Sequence, residues 1–148
     1  MLAPDEPLDP PFDDQPYAAL VWATVPTTDA RKQRIADALI ASGCRYVVCG
    51  GVEPDSWEEA ADAAYLAQDL SEAEFAERHV TTTSHRGETE GEVAFFFVHC
   101  AFIEGDDFAS CLVLLIGADD RVQARLTAAV RAEASGPVAS RNDRRPKG

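Results

Sequence analysis

The sequence has no apolar run long enough to cross a membrane. Its longest stretches of hydrophobic residues, 17–23, 93–98 and 111–116, contain seven, six and six residues, whereas a helix that spans a bilayer needs about 20. The amino-terminal residues also lack the basic cluster and the apolar segment of a secretory signal. We therefore predict a soluble, cytoplasmic protein without a membrane partner.

Cysteines are few, and none of them belongs to a C-x-x-C pair. They occupy positions 44, 49, 100 and 111, and three lie in or beside apolar runs, where a reduced cysteine packs like a small hydrophobic residue. This pattern predicts reduced thiols in the core. The alternative is a zinc site built from Cys49, His99 and Cys100, but their spacing matches no structural zinc module. We therefore predict neither a metal nor a cofactor.

Basic residues are outnumbered two to one. The chain has 13 Lys and Arg against 26 Asp and Glu, which gives a formal net charge of −13. A body of this charge repels phosphate, so we predict that the folded part does not bind nucleic acid directly. The plainest interpretation is a solvated surface that keeps the protein in solution. The alternative is a protein partner with a basic face.

Composition changes at both ends of the chain. Residues 1–16 contain five prolines, five acids and no base, and residues 137–148 contain four bases and one acid. Neither stretch holds enough apolar surface to offset the entropy of ordering. We predict a disordered, acidic, proline-rich arm over residues 1–16, a single α/β domain over residues 17–136 and a disordered basic tail over residues 137–148.

The clearest local signal is an apolar strand that ends at Cys49 and leads into a glycine corner and a helix. Gly50 and Gly51 let the backbone turn sharply. Ser56 and Glu59 have the spacing of a capping box, which predicts that a helix begins at the next residue after Ser56.

Strand and helix patterns alternate along the rest of the chain. The predicted strands cover residues 17–24, 45–49, 78–83 and 110–116. The predicted helices are one that ends at residue 41, three over residues 57–68, 90–100 and 120–134, and an additional turn over 71–75. Such alternation with short connections is typical of parallel strands joined by right-handed crossovers. We predict an α/β fold, a three-layer Rossmann-like or flavodoxin-like sandwich with a mainly parallel four-stranded sheet, in which the wholly apolar last strand is central.

Capping residues mark the starts of several predicted helices. The candidates are Thr27, Thr28 or Asp29 for the first helix, the capping boxes Ser71/Glu74 and Thr89/Glu92, and Asp119 for the last helix. In the first helix Ile35, Leu39 and Ile40 share the face that we expect to be buried, and Lys32 lies largely off it.

A candidate site follows from the geometry of a parallel sheet, because the carboxyl ends of its strands meet at one edge. The predicted corners bring a thiol, a carboxylate and an imidazole to that edge, from Cys49, Glu53 and His85. Cys49 at a helix start is a candidate nucleophile, His85 a candidate base, and Glu53 a candidate base or metal ligand. The binding residues predicted beside them are Gly50, Gly51, Trp57 and Ser84.

Each of these residues also has a purely structural interpretation. The structural interpretation is the stronger one for Cys49, as the last buried residue of its strand, and for His85, as a residue of a surface loop. It is also the stronger one for Glu53, as an acid that favours the dipole of the following helix. Trp57 is expected to pack over the corner.

Two ligand classes fit the sequence poorly. The glycine patterns of dinucleotide-binding and P-loop proteins are both absent, and acids surround Gly50 and Gly51, where a phosphate would bind. A magnesium site from Glu53, Asp119 and Asp120 suits the acids better, but acid pairs at helix starts are common.

Three segments resemble a family of small uncharacterised bacterial α/β proteins. They are the corner C-G-G-x-E-x-x-x-W over residues 49–57, the sequence T-T-S-H over residues 82–85 and the strand L-V-L-L-I-G over residues 112–117. The resemblance covers about residues 45–117. It implies a shared domain and no particular activity.

Two functions from different classes therefore compete. The first is a non-enzymatic, acidic interaction or regulatory protein, immunity- or accessory-like, that binds a protein partner with a basic face. The second is a small hydrolase or transferase with a Cys49/Glu53/His85 site at the carboxyl rim of the strands. The charge and the lack of a catalytic signature favour the first.

Overall fold

Four parallel strands form a sheet that helices cover on both faces. The computed structural model describes residues 16–68, 70–101, 110–117 and 119–134. Their elements, in chain order, are β1 Tyr17–Ala23, α1 Asp29–Ala41, β2 Cys44–Gly51, α2 Pro54–Leu66, α3 Glu72–Glu77, β3 Thr81–Ser84, α4 Glu90–His99, β4 Ser110–Ile116 and α5 Asp120–Ala134. The predicted three-layer α/β sandwich is confirmed. Residues 1–15 of the predicted arm and the whole predicted tail lie outside the described residues.

The strand order is β3-β2-β1-β4, with every pairing parallel. This is the order of the first four strands of a Rossmann sheet rather than that of flavodoxin. All seven residues of β1 are buried, as expected for a strand with neighbours on both sides and helices on both faces. The prediction that the last strand is central was wrong, since β4 is an edge of the described sheet. Its apolar side chains are explained by burial of the faces of the strand. They give no information on whether another strand pairs with each of its edges.

Two separate cores lie on the two faces of the sheet. On one face, α1 and α2 pack Ile35, Leu39 and Trp57 against the strands. On the other face, α4 and α5 contribute Phe97 and Leu126. Successive residues of a strand enter opposite cores, which decides below which side chains meet. In the described ranges, no helix has both the length and the apolar composition required to cross a bilayer.

Local capping residues start most of the helices where the sequence predicts. The hydroxyl of Thr28 accepts a hydrogen bond from the Arg31 amide at the start of α1. Both predicted capping boxes, Ser71/Glu74 and Thr89/Glu92, are formed, and the Asp119 carboxylate accepts from the amides of Arg121 and Val122. The capping box at Thr89 explains why residues 93–98 are helical despite their strand propensity.

Several boundaries differ from the prediction, and strand β2 continues through both glycines to Gly51 instead of ending at Cys49. Helix α2 begins at Pro54, three residues early, because Pro suits the first turn of a helix and its fixed φ initiates one. The predicted Ser56/Glu59 capping box was therefore wrong, and Ser56 lies inside the helix. Strand β3 runs over Thr81–Ser84 rather than residues 78–83.

The close contact between Gly51 and β1 can be tested by substitution. Gly51 and Gly87 both have positive φ, 81° and 73°. A Cβ on Gly51 would overlap the carbonyl oxygen of Ala23, whereas a Cβ on Gly87 would meet nothing within 4 Å. We expect Gly87→Ala to lower the free energy of unfolding by about 1 kcal/mol through backbone strain alone, and Gly51→Ala by at least about 3 kcal/mol.

Urea unfolding of both variants measures these losses. Equal losses would mean that the contact between Gly51 and β1 does not constrain the corner.

Candidate functional site

The topological switch point, where a Rossmann-like sheet usually binds its ligand, lies between the carboxyl ends of β1 and β4. Thr24 fills this position. Its amide and its hydroxyl both donate to the carbonyl oxygen of Ile116, each at 2.9 Å. The side chain lies so close to Gly117 that a Cβ on that glycine would overlap its hydroxyl. Thr24 therefore occupies the position at the switch point where a ligand usually binds.

A buried lysine organises the neighbouring corner, between the starts of α1 and α2. Lys32 of α1 is 2% exposed, and its Nζ donates to Glu53 Oε1 at 3.1 Å and to Ser56 Oγ at 2.8 Å. The Thr27 amide also donates to the Glu53 carboxylate. The hydrogen bond and the charge of Lys32 lower the pKa of Glu53 below its usual 4.5. Glu53 is therefore an ionised anchor that ties α1 to the corner.

The backbone of Glu53 is strained. It is the one described residue other than glycine with positive φ, at φ 55° and ψ 49°. Non-glycine residues adopt this left-handed conformation only when surrounding contacts hold them there. The contacts from Lys32 and Thr27 have that role here.

Lys32 is the residue of this corner that sequence reasoning missed. Its assignment to the exposed side of α1 was wrong, since Lys32 lies on the buried face with Ile35, Ala36 and Leu39. The spacing of i, i+3, i+4 and i+7 was the available signal. A lysine is usually assigned to solvent, and its partner Glu53 is 21 residues away along the chain.

Cys49 is fully buried in the core between the sheet and helices α1 and α2. Burial raises its pKa well above that of a free thiol, and the nearby charge of Glu58 adds to the shift. The thiolate, which is the nucleophilic form, is therefore suppressed at neutral pH. These are the properties of a core cysteine, in line with the structural interpretation.

His85 lies on the opposite face of the sheet. Its amide donates to the carbonyl oxygen of Cys49 at 2.9 Å, but its ring packs on Phe96 of α4 with 4.5 Å between ring centroids. Nε2 lies 3.0 Å from Thr83 Oγ1, and Nδ1 lies 3.0 Å from Glu88 Oε2. The ring is buried, so the interpretation as a surface loop residue does not describe it. The sheet separates this imidazole from the Cys49 thiol.

The predicted binding residues make the following contacts within the fold. Gly50 lies under the ring of Trp22, where a Cβ would come within 2.7 Å of the indole, and Gly51 contacts the backbone of β1. Trp57 is 2% exposed in the core. Ser84 donates its hydroxyl hydrogen bond to Asp55. Cys49, Glu53 and His85 therefore lie in separate surroundings.

Three carboxylates of α2 form a row that faces β3. Asp55, Glu58 and Asp62 stand at i, i+3 and i+7, and we call them the acidic row. Ser84 donates to Asp55, and Thr82 donates to Asp62 at 2.7 Å. Burial and then the charge of Asp62 raise the pKa of Glu58. Arg86 pairs with Asp55 at the end of the row.

A small cavity lies at the other end of the sheet, near the amino ends of β1 and β2. It has a volume of about 120 Å³, and its lining includes Pro16, Gly43, Arg45, Gln68 and Arg78. It shares no residue with the carboxyl rim, so it does not belong to the predicted site.

The two predicted metal alternatives are not assembled. Within the described ranges, no three His, Cys, Asp or Glu side chains are grouped so that they could hold a metal ion. His99 pairs with Glu133 at 2.9 Å on the face opposite Cys49. Asp119 caps α5, and Glu53 binds Lys32.

The Lys32–Glu53 pair predicts a pH-dependent contribution to stability. Because folding lowers the pKa of Glu53, the pair stabilises the fold above the ordinary value of 4.5, and this contribution disappears as the pH falls through the folded pKa. We expect Glu53→Gln to be less stable than wild type at neutral pH and to converge with it in acid. Urea unfolding at a series of pH values measures the difference.

Lys32→Met is the matched control for this pair. It removes the buried charge together with its need for a partner, so it should cost less stability than Glu53→Gln, which leaves the ammonium group buried beside Ser56. A stability gap between wild type and Glu53→Gln that is constant with pH would contradict the pairing.

Burial predicts that Cys49 resists alkylation. Cys44 and Cys49 are buried, whereas Cys100 and Cys111 are exposed. Iodoacetamide at neutral pH should modify Cys100 and Cys111 in the native protein and reach Cys49 only after unfolding, as peptide mass spectrometry would show. Fast labelling of native Cys49 that Cys49→Ser removes would instead support a nucleophilic thiol.

Comparison with known proteins places the chain in a family. Residues 1–133 match the family model described as Domain of unknown function (DUF7684). No curated protein and no solved structure matches the chain. The expectation that the chain belongs to an uncharacterised family is thereby confirmed. The chain belongs to the DUF7684 family.

Proposed function

We propose that this protein is a non-enzymatic interaction or regulatory protein, immunity- or accessory-like, which binds a protein partner with a basic face. The observation that carries the proposal is the charge of α2 and α3. Residues 53–77 contain nine acids and no Lys or Arg. The exposed acids of the two helices, which we call the acidic surface, are Glu59, Asp62, Glu72, Glu74 and Glu77.

Arg45 and Arg78 lie at the α3 end of this surface, and Arg45 donates to the carbonyl oxygen of Glu77 at 2.6 Å. Three other cations of the described residues are paired outside it. Lys32 is buried and paired with Glu53, so its charge is compensated within the corner. Arg86 pairs with Asp55, and Arg125 pairs with Glu90 on the far side of the sheet. The raised pKa of Glu58, caused by burial and by the charge of Asp62, is the expected sign of carboxylates that repel one another. A partner's Lys and Arg side chains would relieve that repulsion.

The geometry of the carboxyl rim favours binding over catalysis. The hydrolase or transferase alternative requires a reactive Cys49 within reach of His85. The Cys49 thiol is buried with a raised pKa, and the imidazole packs on the other face of the sheet. Glu53 is held by Lys32. The buried thiol and the imidazole on the other face therefore cannot act together as the nucleophile and base of the alternative.

We further propose that the protein acts in a bacterial cytoplasm. All four cysteines are free thiols, which suits a reducing compartment. We also propose that the corner over residues 49–57 is a shared feature of the family, because Gly50 and Gly51 are required by close contacts with β1.

The acidic surface predicts a specific loss of binding on neutralisation. The test variant is Glu59→Gln/Glu72→Gln/Glu77→Gln, and the control Asp29→Asn/Asp37→Asn/Asp120→Asn changes the net charge equally on α1 and α5. A protein captured from host extract by wild type would be identified, purified and titrated calorimetrically with each variant. We expect the test variant to bind about tenfold more weakly, from three surface ion pairs, and the control to bind like wild type.

Salt dependence provides an independent check. Binding through charged surfaces should weaken steeply as ionic strength rises. Equal binding by both triple variants, or an affinity unchanged by salt, would contradict the proposal.

A further inference from the structure

Strand β3 has an outer edge without a neighbour among the described strands. In the order β3-β2-β1-β4 it pairs with β2 alone. The His85 amide, which follows the strand, donates to Cys49 of β2. Because hydrogen-bonding groups alternate along a parallel strand, the amides and carbonyls of Thr82 and Ser84 point away from β2. All four residues of the strand are partly exposed.

The two faces beside this edge differ in chemistry. On the α2 side, the acidic row lies against the hydroxyls of Thr82 and Ser84. On the α4 side, His85 follows the end of β3, and its ring packs on the partly buried ring of Phe96. A strand placed next to β3 would therefore direct alternate side chains toward carboxylates and toward an aromatic surface.

We propose that the partner binds by strand addition: an extended basic segment pairs with the outer edge of β3, with Lys or Arg side chains over the acidic row and the intervening apolar side chains toward Phe96. This inference rests on the proposed function and gives the mode of binding. Main-chain hydrogen bonds would supply affinity, and the alternating side chains would supply specificity.

The distribution of charge and of backbone groups favours the outer edge of β3 over the edge of β4, and an extended basic segment over a helical one. The other edge strand, β4, is apolar from Cys111 to Ile116, so this part of it has no hydroxyls like those by which Thr82 and Ser84 bind the acidic row. A helical partner would place cations near the acids, but its backbone groups are already paired and could not bond the outward amides of Thr82 and Ser84. An extended basic segment can place its cations near the acidic row and also bond the outward backbone groups of β3.

The test uses an alternating Lys-Val peptide and two probes of the same charge. One is its fully N-methylated analogue, which keeps every side chain but has no backbone donor, and the other is a helical Lys-Ala peptide. Titrations into the full-length protein at low ionic strength would be followed by amide NMR spectra. We expect the alternating peptide to bind at least about tenfold more tightly than either control, from the loss of about two backbone hydrogen bonds, and to shift the amide signals of Thr82 and Ser84.

A protein variant tests the same contact from the other side. Thr82→Pro removes an outward amide, together with the hydroxyl that donates to Asp62, without removing a bond to β2, and proline is tolerated on an edge strand. Ala30→Pro, in the first turn of α1, is the proline control. We expect Thr82→Pro to weaken peptide binding about tenfold and Ala30→Pro to leave it unchanged. The NMR spectra report whether each variant is folded, and the N-methylated peptide tests the edge on wild type if Thr82→Pro is not.

The outcomes separate the two proposals. If the N-methylated or the helical peptide binds as tightly as the alternating one, strand addition is overturned, and binding of a basic partner by the acidic surface is retained. If no cationic peptide binds at low ionic strength, both proposals are overturned.

Discussion

The close contact between the carboxyl ends of β1 and β2 is the constraint on which the rest of the structure depends. Gly50 lies under Trp22, and Gly51 lies against the backbone of Ala23. The next amide, that of Val52, donates to the Ala23 carbonyl oxygen at 2.8 Å. The chain then has to reverse within a single residue, which is why Glu53 takes up a left-handed conformation and needs Lys32 to hold it. This turn sets the direction of α2, and with it the position of the acidic row against β3.

The sequence predicts the local features of this fold well because their causes are local. A hydroxyl or carboxylate at a helix start binds amides two or three residues away, so Thr28, Asp119 and the two capping boxes can be read directly. The same rule failed at Ser56, where the hydroxyl instead accepts from Lys32, 24 residues distant. The edge position of β4 was missed for a similar reason, since pairing partners are chosen across the whole chain.

The separation of Cys49 from His85 shows why a site is harder to predict than a strand. Sequence order correctly brings the two residues to one end of the sheet, and their backbones are hydrogen-bonded. The register, however, pairs Cys49 with Ser84, so the side chain one position later points to the other face. A shift of one residue would have placed the imidazole beside the thiol. Register is set by the packing of both faces together, and no spacing in the sequence reports it.

The distribution of charge follows from the same packing. A net charge of −13 could have been spread evenly for solubility. Instead, two cations of α1, Arg31 and Lys32, are buried. The neighbouring helix α2 carries four acids and no base. Burying a lysine is costly unless an acid faces it, and Glu53 meets that need without neutralising the acids further along α2. The fold therefore holds the charge of Lys32 within the corner and leaves the acidic row beside the outer edge of β3, which has no neighbour among the described strands. The proposed binding of an extended basic segment rests on this arrangement.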